Sequence, residues 1–293
     1  MKSTISLTNY LVLIFFLMLF TGCTKIQPRT TDLTKISTKE PTEFTYHNYA
    51  DVLAAYVNDN GLVAYRQLVK KPTQLNLFYA QIAAYSPDSH PWLFPSQNHK
   101  LAYWINAYNA TVLKGVIEYY PISSIEDVQA PTILFFFPSK SGFFLFQRFT
   151  YGGQETSLYY LENSVIRERF NEPRIHFALN CASQSCPKLP RIPFSGEELD
   201  RQLDAETRKF INDPTRVRYD ASSDTLYLSS IFEWYEEDFT DWLKVNKTGE
   251  KQSLLTFVLH YLSIEISQQI KENGSSPKLK FLPYNWGLND IKL

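Results

Sequence analysis

The 293-residue chain carries 30 acidic and 29 basic side chains, a formal charge of -1. With no dense Lys/Arg run, nothing electrostatic points to nucleic acid or to an anionic membrane surface as a partner. Its 21 Phe, 19 Tyr and 5 Trp supply apolar area for a sizeable core, in one large domain or two tightly joined lobes, and leave aromatics over to line a groove.

The first stretch holds Lys2, the apolar run Tyr10 to Phe20, and then Thr21-Gly22-Cys23. That run is too short to cross a bilayer as a helix, which needs about 20 residues, but it suits the core of a cleaved signal. Phe20-Thr21-Gly22-Cys23 resembles a bacterial lipobox, with Phe in the first place where Leu is usual. The resemblance implies a signal peptide over 1–22, acylation at Cys23 and membrane lipid as a partner. Residues 24–43 are polar, rich in Thr and Lys, without apolar period. Residues 23–43 are therefore expected to be a lipidated tether, reaching about 66 Å if extended. Thr24 after the cysteine resembles lipoproteins of the outer membrane, so the expected location is the cell envelope. One globular domain is expected over 44–293.

Apolar residues recur at three and four over Tyr49 to Tyr56, Leu62 to Leu68 and Leu75 to Tyr85, predicting scaffold helices separated by Asn60-Gly61, Pro72 and Pro87. The longest helix is predicted from Gln97 to Tyr120, stopped by Pro121. Ser123 with Glu126 reads as a capping box. The aromatic stretch from Ile133 to Tyr151, turning at Gly152-Gly153, is expected to form a hairpin or short strands. Ser157 caps a helix to Phe170. Arg174 to Cys181, short and apolar between turn signals, reads as a buried strand. Ser195 and Glu198 open a helix that ends at Asn212-Asp213-Pro214, and a hairpin follows with strands Val217 to Tyr219 and Thr225 to Leu228. Ser230 with Glu233 caps an aromatic helix, and a last helix spans Leu254 to Gln269. The tail from Lys278 to Leu293, with Phe281, Tyr284 and Trp286, is too apolar to hang free and is expected to dock on the core. The pattern is α+β, a helix-dominated single domain with small, mostly antiparallel strands.

The blocks LAYWINAYNA (101–110), Tyr151-Gly152-Gly153 with Ser157-Leu158, PRIHFALNCASQSCPKL (173–189), LYLSSIFEWYEEDF (226–239) and LPYNWGLN (282–289) resemble, in that order, the domain of unknown function 547 family in its bacterial lipoprotein branch. The resemblance implies an architecture more than a mechanism. Asn285 and Gly287 stand where the family tail usually has Asp and Ser.

Asn106 and Asn109 lie inside the longest helix, where an amide competes for backbone hydrogen bonds. They either fix a neighbouring loop or contact a substrate. His176, Cys181 and Cys186 form the one chemically sharp cluster. Strand alternation would put His176 and Asn180 on one face and Cys181 on the other. Cys186, beyond the turn Ala182 to Gln184 and just before Pro187, is then the preferred nucleophile, with His176 as base and Asn180, Asn106 or Asn109 orienting the ring. Three alternatives stand beside it: a Cys181–Cys186 disulfide, buried thiols with a structural histidine, and a metal centre that lacks an evident fourth ligand. Glu233, Glu236, Glu237 and Asp238 read as the solvated face of a helix. No phosphate-binding glycine loop and no His-Glu-x-x-His motif is present, so no cofactor is expected. The first expectation is thus a thiol-dependent hydrolase or acyl transferase acting on a peptide or amide; the alternative is a non-enzymatic structural or ligand-binding lipoprotein with a structural disulfide.

Overall fold

A computed structural model of the chain describes residues 24–27, 41–130, 137–138, 140–247, 249, 251–274 and 276–291. The expectations resting on the signal segment and on Cys23, and those for Ile133 to Phe136, lie outside the described residues. The fold is a mixed α+β structure dominated by helices.

Helices His47–Tyr56, Tyr65–Lys70 and Thr73–Ala84 pack around the central helix Gln97–Tyr119. Ser96 starts that helix by accepting the His99 N–H, and every residue from Leu101 to Val116 is buried. A helix so enclosed has no polar face to give to water, which is why its pattern reads as apolar almost all round. Its Tyr103 and Trp104 gather with Tyr49, Phe78 and Phe149 in one apolar cluster. A second cluster gathers Phe177, Phe210, Phe232, Phe239 and Phe257.

The small sheets are two antiparallel hairpins, each widened by one parallel strand. Strand β2 (Gln147–Tyr151) pairs with β3 (Gln154–Thr156), and β1 (Thr24–Lys25) runs parallel to β2. Gly152 makes the β2–β3 turn at φ 55°, with Ser86 so close that a Cβ there would fall 2.2 Å from its Oγ. Strand β4 (Val217–Asp220) pairs with β5 (Thr225–Ser229), and the tail returns as β6 (Lys278–Leu282) parallel to β5. Beyond β6 the chain bridges Ser124 through Gly287 and Ser183 through Leu288, so the tail stitches both halves together.

Several expectations are corrected. Arg174 to Cys181 is not a strand: Pro173–Phe177 is a 3₁₀ helix begun by Glu172, which accepts the Arg174 N–H, and the backbone then runs irregularly. The capping box near Pro121 uses Ser124 and Asp127, one residue on from Ser123 and Glu126, and the helix Ser230–Trp234 is capped by Ser229. The last helix is two, Leu254–Tyr261 and Ile264–Glu272, because Asn212 accepts the Ser263 N–H while Ser263 caps the second.

The lipid-anchored picture is corrected as well. The chain just after Cys23 is not a free spacer. Ile26 is buried, its N–H is bonded to the Arg148 carbonyl at 2.9 Å, and its carbonyl accepts from the Tyr79 hydroxyl. The described cysteines, Cys181 and Cys186, are bonded to each other, and among the described residues no helix is long and apolar enough to cross a membrane. The membrane-lipid partner expected from the lipobox at Cys23 and the outer-membrane placement expected from Thr24 are withdrawn.

Candidate functional site

The thiol expectation fails at its first atom. Cys181 and Cys186 are joined, S–S 2.05 Å with Cα atoms 6.1 Å apart, so neither offers a thiolate, and Cys186 is 3% exposed. The turn between them is fixed by Asn180, whose amide donates to the Pro187 carbonyl at 2.7 Å and accepts the Ala182 N–H at 2.9 Å. Ala182 takes φ 62°, a left-handed conformation that L residues rarely adopt. Its carbonyl is held by the Asn289 N–H of the returning tail. Asn285 accepts the Gly287 N–H with its amide oxygen.

Native, unreduced protein is therefore expected to resist alkylation at Cys181 and Cys186, by peptide mass spectrometry. Cys181→Ser should lower unfolding stability by about 2 kcal/mol, the loop-closure effect for so short a ring. Alkylation of either cysteine without reductant would refute the bond.

The two helix asparagines also serve backbone. Asn106 bonds both ways with Phe194, donating to its carbonyl at 2.7 Å and accepting its N–H at 3.0 Å. Asn109 donates to the Ala178 carbonyl at 2.9 Å and accepts the Asn180 N–H at 2.8 Å. Both amides are spent, as is that of Asn180, so none of the three orients the imidazole.

That role falls to a residue expected on a solvated helix face. Asp238 Oδ2 meets His176 Nε2 at 2.7 Å, and Arg167 grips the same carboxylate at 2.7 and 2.9 Å through Nε and Nη2. His176 stacks on Tyr235 at 3.8 Å between centroids. Burial drives the imidazole below its ordinary 6.5, outweighing the Asp238 hydrogen bond. Burial also works against the Asp238 carboxyl, yet hydrogen bonds from His176 and Arg167 and the guanidinium charge hold it well below 3.8. The pair is thus a neutral ring donating its Nε2 proton to a carboxylate, which leaves Nδ1 as the ring's acceptor.

Both groups resist protons that the unfolded chain accepts. Stability should be full above the ordinary histidine value of 6.5, fall as pH drops through that region, and fall again below the ordinary Asp value of 3.8. Melting temperatures recorded from about pH 8 down to about pH 2 should show both falls, with the upper limb flattened in His176→Gln. A wild-type curve that rises on acidification would contradict the buried neutral imidazole.

His176 and the disulfide line one cavity of about 560 Å³, together with Tyr108, Glu162, Arg167, Trp234, Tyr235, Tyr284 and Trp286. Glu162 accepts from two phenols, Tyr108 at 2.8 Å and Tyr235 at 2.7 Å. It reaches the cavity beside Arg167 because Leu161–Arg167 is a π-helix, whose i to i+5 bonding brings residues five apart onto one side. Such bulges recur at functional sites. Trp234 and Trp286 stack at 5.8 Å and 17°, with Tyr284 against both. Tyr284 also hydrogen-bonds Ser183 at 3.0 Å, joining the aromatic wall to the disulfide turn. Among the described residues no group of three or more His, Cys, Asp or Glu is placed to hold a metal ion.

Of the residues singled out in sequence, the cavity contains His176, Cys181 and Cys186 but is not lined by Asn106, Asn109 or Asn180. Glu162, Arg167, Tyr235 and Asp238 were missed. The remaining signal, the aromatic density of the 226–239 and 282–289 blocks, does mark the wall.

Residues 94–211 match the model of a family described as "Protein of unknown function, DUF547", and this part of the chain is homologous to that family's domain. The match does not single out a lipoprotein branch. No curated protein and no solved structure matches the chain.

Proposed function

We propose that this chain is a ligand-binding module that takes a small organic molecule into the cavity between the π-helix, the 3₁₀ helix and the returning tail. The disulfide is then a structural brace of the cavity wall. The observation that carries this reading is the cavity itself. Its volume of about 560 Å³ lies in the range of small-molecule sites, and it combines aromatic walls with a few fixed polar groups, as such sites do. Those polar groups are positioned without a ligand: Arg167 and His176 by Asp238, and Glu162 by two phenols. Such preorganisation lowers the cost of binding.

Equilibrium dialysis of the protein against a metabolite extract, read by mass spectrometry, tests the proposal. The wild type should enrich at least one small molecule that the Trp234→Ala, Trp286→Ala double variant does not. No enrichment, or equal enrichment by a variant of unchanged fold, would overturn it.

A further inference from the structure

The cavity's polar groups also bear on the charge of an occupant. Glu162 is held by hydrogen bonds from phenols, which are neutral donors, and burial and the Glu162 charge both push the Tyr108 and Tyr235 hydroxyls well above their ordinary range. Among the described residues Glu162 forms no ion pair. The cavity's guanidinium, Arg167, is committed to Asp238 through two nitrogens and to Asn163 through the third. His176, with Nε2 bonded to Asp238, offers an acceptor and no charge. The floor therefore presents a carboxylate that is hydrogen-bonded by phenols and forms no ion pair, with the Arg167 charge near it but bonded to Asp238 and Asn163.

The wall is of the same kind. Aromatic faces carry negative quadrupole potential and attract a cation within about 6 Å of the ring centroid. The Lys140 ammonium already sits 5.1 Å from the Trp234 ring and 4.7 Å from the Trp286 ring. Among the described residues the Lys140 ammonium makes no ion pair and no hydrogen bond, and its contacts are with the paired indoles. A primary ammonium on an alkyl chain is thus seated at the cavity by its own sequence.

We propose that the cavity takes an alkylammonium ligand, its chain against the indoles and its charge directed to Glu162, and that Lys140 is a resident stand-in that such a ligand displaces. This rests on the cavity being a binding site, as proposed above. The ligand class follows from the Glu162 carboxylate, which forms no ion pair among the described residues, and from the cation already on the wall.

The test uses the full chain and calorimetric or tryptophan-fluorescence titration at neutral pH with n-pentylammonium, 1-pentanol and pentanoate as probes. Pentylammonium is expected to bind about tenfold or more tightly than either of the others, a difference worth about 1.4 kcal/mol. Glu162→Gln should erase most of that preference, and Lys140→Met should tighten pentylammonium binding by about fivefold, the range of one exposed cation–π contact. Should Glu162→Gln fail to fold, Trp234→Leu supplies the second reading, since Trp234 is 43% exposed; it should weaken pentylammonium and leave melting near wild type. Equal binding of pentanol and pentylammonium would overturn the charge preference while leaving the cavity a binding site. Binding of no probe, with extract molecules still enriched in dialysis, would overturn the ammonium class alone, and failure of both experiments would overturn the binding site too. Lys140→Met binding no better than wild type would overturn the stand-in role.

Discussion

Asn109→Leu is expected to lower unfolding stability by about 2 to 4 kcal/mol in denaturant titration, because it strands two buried backbone groups at once. The Ala178 carbonyl and the Asn180 N–H both lie on the segment that carries the disulfide, and the Asn109 amide is their partner at 2.9 and 2.8 Å. An unsatisfied buried donor or acceptor costs about 1 to 3 kcal/mol, and leucine, near in size, replaces neither bond. The loss should also loosen Asn180, whose own amide holds Ala182 and Pro187. Hydrogen exchange at the Asn180 and Ala182 amides should then rise more than exchange in β5. Unchanged stability would mean that the helix does not hold the loop.

Phe177→Ala is expected to cost about 3 to 5 kcal/mol, the range for removing a fully buried aromatic side chain. Phe177 meets Phe210 at 4.9 Å, Phe232 at 5.6 Å and Phe239 at 5.8 Å, and is the residue by which the 3₁₀ helix enters the second apolar cluster. Its neighbour His176 turns instead to Asp238 and the cavity. The tight turn thus uses one side chain as anchor and the next as cavity wall. Cavity binding should weaken together with stability in Phe177→Ala, whereas Phe210→Leu, farther from His176 along the chain, should lower stability with less effect on binding. A Phe177→Ala protein with wild-type stability would remove the anchoring argument.

The sequence by itself determined the long helices and the fold class, but not the short helix Ser141–Phe144, which lies in the stretch expected to form a hairpin or short strands. The apolar period over 97–119, the punctuation by Pro72 and Pro121, the Ser157 cap and the hairpin around Asp220 to Asp224 are local signals, and the elements lie where those signals put them. The apolar tail docks because Phe281 and Tyr284 pack on the second cluster. It also exposed the chemical cluster at 176–186, although not its chemistry. Arg174 to Cys181 has the composition of a buried strand but begins as a 3₁₀ helix and continues irregularly, since a short apolar run carries no period to separate strand from helix. The alternation that set His176 and Cys181 on opposite faces failed with it. What only the tertiary structure decided is which side chains meet. Asp238 has the sequence context of a solvated helix face, and only the packing of helix Glu236–Asn246 against the 3₁₀ helix brings it to His176. Glu162 and Arg167 share a face because of a π-turn that leaves no mark in residue spacing. The cysteines are spaced equally well for a thiol site or a bridge, and the choice is made by a turn whose geometry is set by Asn180 and the tail, far apart in the chain. Local energetics write elements into sequence; pairwise contacts across distant segments, each worth little alone, decide the site.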